Sequence, residues 1–226
     1  VTQNIYDNAG FFAGYACLRR SVDGLDAAPE WPTLKSMLPD LAGKRVVDLG
    51  CGFGWFCRWA RETGAASVLG LDVSANMLTK ARETTSDPAI TYRQADLETL
   101  ELPAASLDLA YSSLTLHYLE KLAEMFTTVH RALVPGGSFV FSAEHPLYTE
   151  PGPDYLDEGP RTTDWLAKGV VKQHRTLARY LNLLIEAGFT VRHVEEWGPT
   201  RDEIAAHPEW KIDHRRPTFL LVSAGR

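Results

Sequence analysis

Cysteine is scarce in this chain. Cys17, Cys51 and Cys57 are the only three in 226 residues. They are odd in number and have no C-x-x-C spacing, which excludes a disulfide framework and a zinc knuckle. Reduced thiols of this kind give the expectation of a cytoplasmic protein with no metal site. Long apolar runs are also missing: none approaches the length of a membrane-spanning helix, and no charged-then-apolar leader opens the chain. Positive charge is in deficit, with 23 Lys and Arg against 29 Asp and Glu, a net charge of -6. Without a clustered basic run, the chain is a poor partner for nucleic acid or an anionic membrane surface. Internal repeats and low-complexity tracts are absent as well.

What is present is an ordinary globular composition, 45% hydrophobic and 23% charged, long enough to bury its own core as one domain over residues 1–226. Strand-like and helix-like patterns alternate, the mark of an α/β fold with a parallel sheet. Predicted strands are 44–49, 67–72, 90–93, 107–111, 138–143, 190–194 and 218–222. Predicted helices start at Trp55 and after Ser74, which reads as an N-cap, and further helices carry the apolar spacings Leu119 to Leu133 and Leu177 to Ile185. Residues 144–172 hold several Pro and Gly and read as a loop-rich insertion after the fifth strand, and residues 1–40 as a helical cap segment.

The most informative segment is Val46-Val47-Asp48-Leu49-Gly50-Cys51-Gly52-Phe53-Gly54. It lies between a strand and a helix, at the carboxyl edge of the sheet, where open α/β folds bind ligands. A lone G-x-G is compatible with any tight turn. Three alternate glycines after a strand, with an acid two residues before the first, point to a ligand site. A dinucleotide site calls for a third glycine where Trp55 stands, and Asp48 would repel a pyrophosphate. Asp48 suits a cationic group instead, and Asp72, ending the second strand, can accept both hydroxyls of a ribose. An adenosine-like ligand with a free ribose and a positive centre is implied, and S-adenosylmethionine meets all three conditions.

The sequence resembles the class I S-adenosylmethionine-dependent methyltransferases, in the small-molecule branch that includes ubiquinone and menaquinone biosynthesis enzymes. The likeness runs closely from 44 to 143. It is carried by Val47 to Gly54, by Gly70-Leu71-Asp72-Val73-Ser74 and by Gln94-Ala95-Asp96-Leu97. Leu107 to Ser112 with Leu116-His117-Tyr118-Leu119 follows, and then Leu133-Val134-Pro135-Gly136-Gly137. The resemblance implies a three-layer, Rossmann-like α/β fold whose seven-stranded, mostly parallel sheet has an antiparallel last strand. It also implies that Gly50, Cys51, Gly52 and Gly54 form the turn around the methionine part, with Asp48 in its hydrogen-bond network. Asp72 would bind the ribose, Val73 and Met77 would pack on adenine, Asp96 would accept from the adenine amino group with Leu97 at its edge, and Ser112 would lie near the sulfonium. Taken singly, Asp72 also reads as a helix-capping acid, Met77 as core and Asp96 as a turn residue.

Methyl transfer to a small-molecule acceptor needs positioning and, for a hydroxyl or carbon acid, a base; S-adenosylhomocysteine is the product. His117, after the fourth strand, and His145, after the fifth and before Pro146, are the candidate bases. His117 also reads as a helix N-terminal packing residue. His174 and Arg175 read as surface, and His130 and His193 as structural. Tyr6 and Tyr15 belong to an aromatic N-terminal segment that either folds over the cofactor or packs on the core. Tyr148 and Trp165, with Tyr155, suit a substrate lid or the insertion's own packing cluster. A non-catalytic binding or regulatory protein on the same fold is the competing reading, and a nucleic-acid or protein methyltransferase a further one. The acceptor and the oligomeric state are left open.

Overall fold

The structure is a computed structural model that describes residues 3–149, 154–164, 166–207 and 216–226. Trp165 lies outside the described residues. The N-terminal cap holds three short helices, α1 (Ala9–Ala16), α2 (Arg19–Val22) and α3 (Trp31–Ser36). Alternation of strand and helix follows: β1 (Arg45–Leu49), α4 (Trp55–Glu62), β2 (Ser67–Asp72), α5 (Ala75–Glu83), β3 (Ile90–Gln94), β4 (Leu107–Ser113), α6 (Leu122–Ala132) and β5 (Leu133–Glu144). The insertion contributes α7 (Pro146–Thr149), β6 (Gly159–Thr163) and β7 (Val170–His174). The chain then closes through α8 (Leu177–Glu186), β8 (Thr190–Trp197), α9 (Arg201–Ala206) and β9 (Phe219–Gly225).

The main sheet has seven strands in the order β3-β2-β1-β4-β5-β9-β8. The pairs among β1 to β5 are parallel, while β9 runs antiparallel to both β5 and β8. The expected antiparallel last strand is therefore present. Strand order reverses between β1 and β4. That reversal opens a crevice at their carboxyl ends, and the glycine turn emerges there.

Period-two alternation sorts each strand between two apolar layers. Val47, Leu49, Ala110, Phe139, Phe141, Leu220 and Val222 face α6 and α8. Val46, Leu109, Tyr111, Val140 and Leu221 face the layer of Trp31, Leu34, Phe56 and Leu78. Burial on both faces explains why these strands read as continuous apolar runs rather than as a clean alternation.

Three sequence readings need correction. The insertion is not only loop: β6 and β7 pair as an antiparallel hairpin, Gly159 opposite His174. Pro and Gly flank and begin its strands, so composition alone read as irregular. His174, which ends β7, and Arg175, which follows it, are buried rather than surface residues. Arg175 donates to the carbonyls of Leu119 and Glu120. The fifth strand does not start at 138: β5 begins at Leu133, so Pro135-Gly136-Gly137 lies inside it.

The cap is fastened by charge as well as by packing. Asp7 accepts from the Ser74 hydroxyl at 2.5 Å and from the backbone amide of Asn76 at 3.1 Å, so it reinforces the Ser74 cap of α5. Arg20 donates through one nitrogen to both oxygens of Glu30, at 2.7 and 2.9 Å. Glu30 is 1% exposed, so removing either partner strands a charge. Glu30→Ala should lower unfolding stability by about 2–4 kcal/mol, since breaking a buried pair is costly even where Arg20 retains some solvent. Urea unfolding showing a loss below about 0.5 kcal/mol would mean that the pair does not hold the cap.

Candidate functional site

The turn after β1 owes its shape to three glycines in the left-handed region, with φ of 79°, 51° and 72° at Gly50, Gly52 and Gly54. Space also forbids side chains at two of them. A Cβ on Gly50 would lie 2.1 Å from the Thr115 hydroxyl, and one on Gly54 would lie 2.1 Å from the Tyr92 hydroxyl. At Gly52 nothing stands within 4 Å of such a Cβ. That open side faces a cavity of about 460 Å³ at the carboxyl ends of β1, β2, β4 and β5, within the usual range of small-molecule sites.

Asp48 and Asp72 both line this cavity and both are buried. Asp72 accepts from the backbone amide of Gly52 at 2.9 Å through one oxygen and from that of Ser74 at 2.9 Å through the other. Each carboxylate oxygen keeps a second lone pair for a ligand hydroxyl. Burial raises Asp72 to about 6, against the opposing pull of those amides. Burial raises Asp48 further, to about 7, although the Cys57 thiol lies 3.3 Å from it. A buried carboxylate held this high is one that a cationic ligand would return to its ionised form.

Of the residues singled out from sequence, Tyr6, Tyr15, Asp48, Gly50, Cys51, Gly52, Asp72, Val73, Met77, Leu97, His117 and Tyr148 line the cavity together. Four others lie outside its wall. Gly54 shapes the turn from behind. Asp96 caps the short turn at Leu97–Thr99, accepting from the Glu98 amide, so only its neighbour Leu97 reaches the wall. Ser112 is fully buried and donates to the Leu49 carbonyl at 2.7 Å; the strand's alternation places Ser113 in the cavity instead. His145 is turned away toward β8, where Nε2 meets Glu196 at 2.8 Å and Nδ1 accepts from the Leu147 amide. The extended backbone before Pro146 was legible; the direction of the ring was not.

His117 does reach the cavity, but its geometry does not suit a base. Nδ1 accepts from the Glu144 backbone amide at 3.3 Å, so the neutral ring carries its proton on Nε2 and is a donor there. Burial, with Lys172 and Arg175 adding to it against Glu144, holds the ring down to about 4. It is therefore neutral at physiological pH.

Sequence reasoning did not find Trp55, Tyr118, Glu144, Thr115 or Thr218, which all line the cavity. Tyr118 sits inside a motif already quoted, and Glu144 stands beside His145. Trp55 fills the space over Gly24, where an added Cβ would meet its ring at 2.6 Å. The other signals reside in tertiary proximity alone. The cap roofs the site: the Tyr6 and Tyr118 hydroxyls lie 3.4 Å apart, and Gln3 accepts from the Val171 amide of β7.

A glycine turn and an acid-ended second strand, opening on a capped cavity at the switch point of a Rossmann-like sheet, define a nucleoside-cofactor site. Residues 47–141 match the family model described as Methyltransferase domain. The chain is 58% identical to an S-adenosylmethionine dependent methyltransferase from Mesorhizobium loti of known structure, with a TM-score of 0.85 over 90% of this chain and 100% of that one. It is 38% identical to a putative S-adenosylmethionine dependent methyltransferase from Listeria monocytogenes, with a TM-score of 0.80 over 88% of this chain and 99% of that one. A more partial likeness, 37% identity, links 55% of this chain to 45% of a malonyl-[acyl-carrier protein] O-methyltransferase from Enterobacter lignolyticus. The chain belongs to the S-adenosylmethionine-dependent methyltransferases and is an enzyme of that class.

Two expectations follow from this geometry. Gly52→Val should abolish cofactor binding, since the branch enters the cavity, while left-handed strain costs only about 1–2 kcal/mol of stability. Calorimetry showing parental affinity in that variant would remove the turn from the ligand contact. The second concerns pH. The raised Asp48 stabilises the ligand-free fold below about pH 4, and that contribution fades as pH rises through about 7. Asp48→Asn lacks this loss. Its melting temperature relative to the parent should climb between pH 4 and 7 and level off above; a pH-independent difference would contradict the assignment.

Proposed function

We propose that the enzyme transfers a methyl group from S-adenosylmethionine to a small-molecule acceptor. The observation that carries this reading is the lining of the cavity, partly covered by residues of the N-terminal cap from Gln3 to Pro29 and bounded by Glu144 and Tyr148. A cavity of this size admits a metabolite, and the acidic chain lacks the basic stripe that would guide a polynucleotide into it.

The residues present fit the cofactor. The open face at Gly52 would take the methionine part, and Asp48 would lie in its hydrogen-bond network. Asp72 would accept the ribose hydroxyls, and Val73, Met77 and Leu97 would pack on adenine. When bound, S-adenosylmethionine supplies a methyl carbon activated on a sulfonium. The chain's part is then positioning and exclusion of water. Tyr6, Tyr15 and Tyr118 close over the centre of the cavity, in edge-to-face pairs with centroids 5.2 and 6.2 Å apart. His117 Nε2–H can donate to the acceptor and orient it. Aligned reactants in a closed site gain much of the rate without a base. The malonyl-[acyl-carrier protein] relatives hint at O-methylation, although the match spans less than half of such a protein.

The protein should bind S-adenosylmethionine and S-adenosylhomocysteine but not NAD. Asp72→Ala should weaken S-adenosylmethionine by about 1–3 kcal/mol, as expected for lost hydrogen bonds to a charged group. Isothermal calorimetry checks both statements, and unchanged affinity in the variant would remove Asp72 from the ribose role. A metabolite screen with methyl-labelled cofactor should place label on a small molecule; label found only on RNA or protein would refute the acceptor class.

A further inference from the structure

Among the described residues, the histidines and carboxylates around the cavity are all committed, and that restricts the acceptor. A hydroxyl, a carbon acid or an ammonium has to lose a proton before its atom can take a methyl group. His145 is turned toward Glu196, and His117 has its Nδ1 occupied by the Glu144 amide. The Glu144 side chain is held by Lys172 at 2.5 Å. Asp48 and Asp72 face the positive charge of the cofactor. An acceptor that is already an anion at neutral pH needs no base.

What the far end of the cavity offers is hydrogen-bond donors. The proton of His117 sits on Nε2, and no group takes it among the described residues. Gln3 lines the same cavity. Its side-chain oxygen accepts from the Val171 amide at 2.9 Å, which fixes the other branch as the NH2 group, and that nitrogen is buried without a partner among the described residues. The Thr218 hydroxyl, in the same wall, is buried and unpartnered as well. One run of contacts joins Gln3 to His117: Val171 precedes Lys172, Lys172 meets Glu144, and the Glu144 amide donates to His117. Buried donors in want of a partner call for a ligand group that only accepts.

The charge behind this wall is positive. Glu144 and Lys172 cancel as a pair, and so do Arg20 and Glu30, while Arg19 lies exposed beside Asp23. Arg175 is left over. It is buried, and its Nη1 has no partner among the described residues. Its contacts are neutral: it donates to the carbonyls of Leu119 and Glu120 and lies against the Tyr180 hydroxyl. Leu119 lines the cavity two residues after His117, so the guanidinium stands a layer behind the ring. Its charge reaches that ring, as do those of Glu144 and Lys172. A cation so placed favours an anion in the cavity without gripping the oxygen that must attack. A doubly charged phosphate would exceed this single uncommitted charge, whereas a carboxylate matches it.

We propose that the methyl acceptor is a carboxylate, held by one oxygen on His117 Nε2–H beside Gln3 and Thr218, and methylated on the other oxygen to an ester. A lone pair of that oxygen forms the new O–C bond while the S–C bond breaks and its electron pair passes to sulfur. The carboxylate and sulfonium charges both vanish, and no proton moves. This inference rests on the methyltransferase reading of the same cavity and adds the chemical class of the acceptor.

The test has a binding arm and a turnover arm. In the binding arm, the protein is saturated with S-adenosylhomocysteine and titrated by calorimetry with phenylacetate, its neutral isostere phenylacetamide and benzyltrimethylammonium. Phenylacetate should bind about tenfold or more tighter than either of the others. His117→Phe should remove that preference, and His117→Gln, which keeps a donor at similar reach, should retain most of it. Arg175 acts through the wall as a positioning residue. Arg175→Met should weaken phenylacetate by about fivefold and leave phenylacetamide within about twofold, whereas Arg175→Lys keeps the charge and should restore phenylacetate. Melting temperatures identify any variant that has lost its fold, and the comparison of the three probes on the parent protein stands without a variant. Absence of phenylacetate binding, a preference for the amide or the cation, or parental phenylacetate affinity in both His117→Phe and Arg175→Met overturns the proposal. In the turnover arm, methyl-labelled cofactor is supplied with a metabolite extract, and the label should be released as methanol by mild alkali, as from a methyl ester. Label that resists alkali, on nitrogen, carbon or an ether oxygen, overturns the proposal as well. The methyltransferase reading fails on a different result, an absence of S-adenosylmethionine binding.

Discussion

The site depends on one carboxylate in the right place. Asp72 ends β2 and reaches sideways to the amide of Gly52, while its other oxygen holds the amide of Ser74 at the start of α5. One buried side chain thus fixes the glycine turn of the first βαβ unit to the entry of the second helix. The backbone amides of Gly50 and Cys51 both donate to the Leu71 carbonyl, so the turn is tied to β2 from two directions. Such a turn cannot relax into the space that the ligand needs, and the cavity is formed before anything enters it.

Around that tie, the molecule arranges negative charge in a hydrophobic crevice. Burial lifts Asp48 and Asp72 well above the usual carboxylate range. A cationic cofactor relieves the cost of ionising them, so affinity for positive charge and destabilisation of the empty fold have one origin. Cys57 shares a hydrogen bond with Asp48, and burial together with its neighbours keeps that thiol well above its ordinary range. Cys51 and Cys57 are buried, and Cys17 is exposed.

The cap completes what the sheet begins. Asp7 grips α5, Glu30 grips Arg20, and Gln3 reaches β7 of the insertion. The first and last of these join the cap to α5 and to the insertion, while the Arg20–Glu30 pair lies within the cap itself. The insertion returns the contact through Lys172, whose partner Glu144 lines the chamber. Roof and wall are consequently coupled through polar contacts that few local sequence rules could anticipate.

Much of this was legible in the chain itself. Alternating patterns announced the α/β fold, and the strands at 67–72 and 190–194 and the Ser74 cap were visible from propensity and spacing, since these are local properties. The glycines at 50, 52 and 54 pointed to a tight turn at a ligand site, because glycine adopts backbone conformations that other residues adopt only at a cost. Side-chain direction was beyond reach. Ser112 and Ser113 differ by one step of a strand, and only the pairing of β4 with β1 decides that the second faces the cavity. His145 and His117 looked alike as candidates. Packing turned one toward Glu196 and gave the other a backbone donor at Nδ1, so neither was left as a base. Glu144 and Lys172 are 28 residues apart, and only the hairpin that follows β5 makes them one ion pair. The sequence by itself determined the fold class, the glycine turn and the acid that ends β2, because each is written in neighbouring residues. The tertiary structure alone decided which charges meet at the far end of the cavity, because those contacts exist only once distant strands have paired.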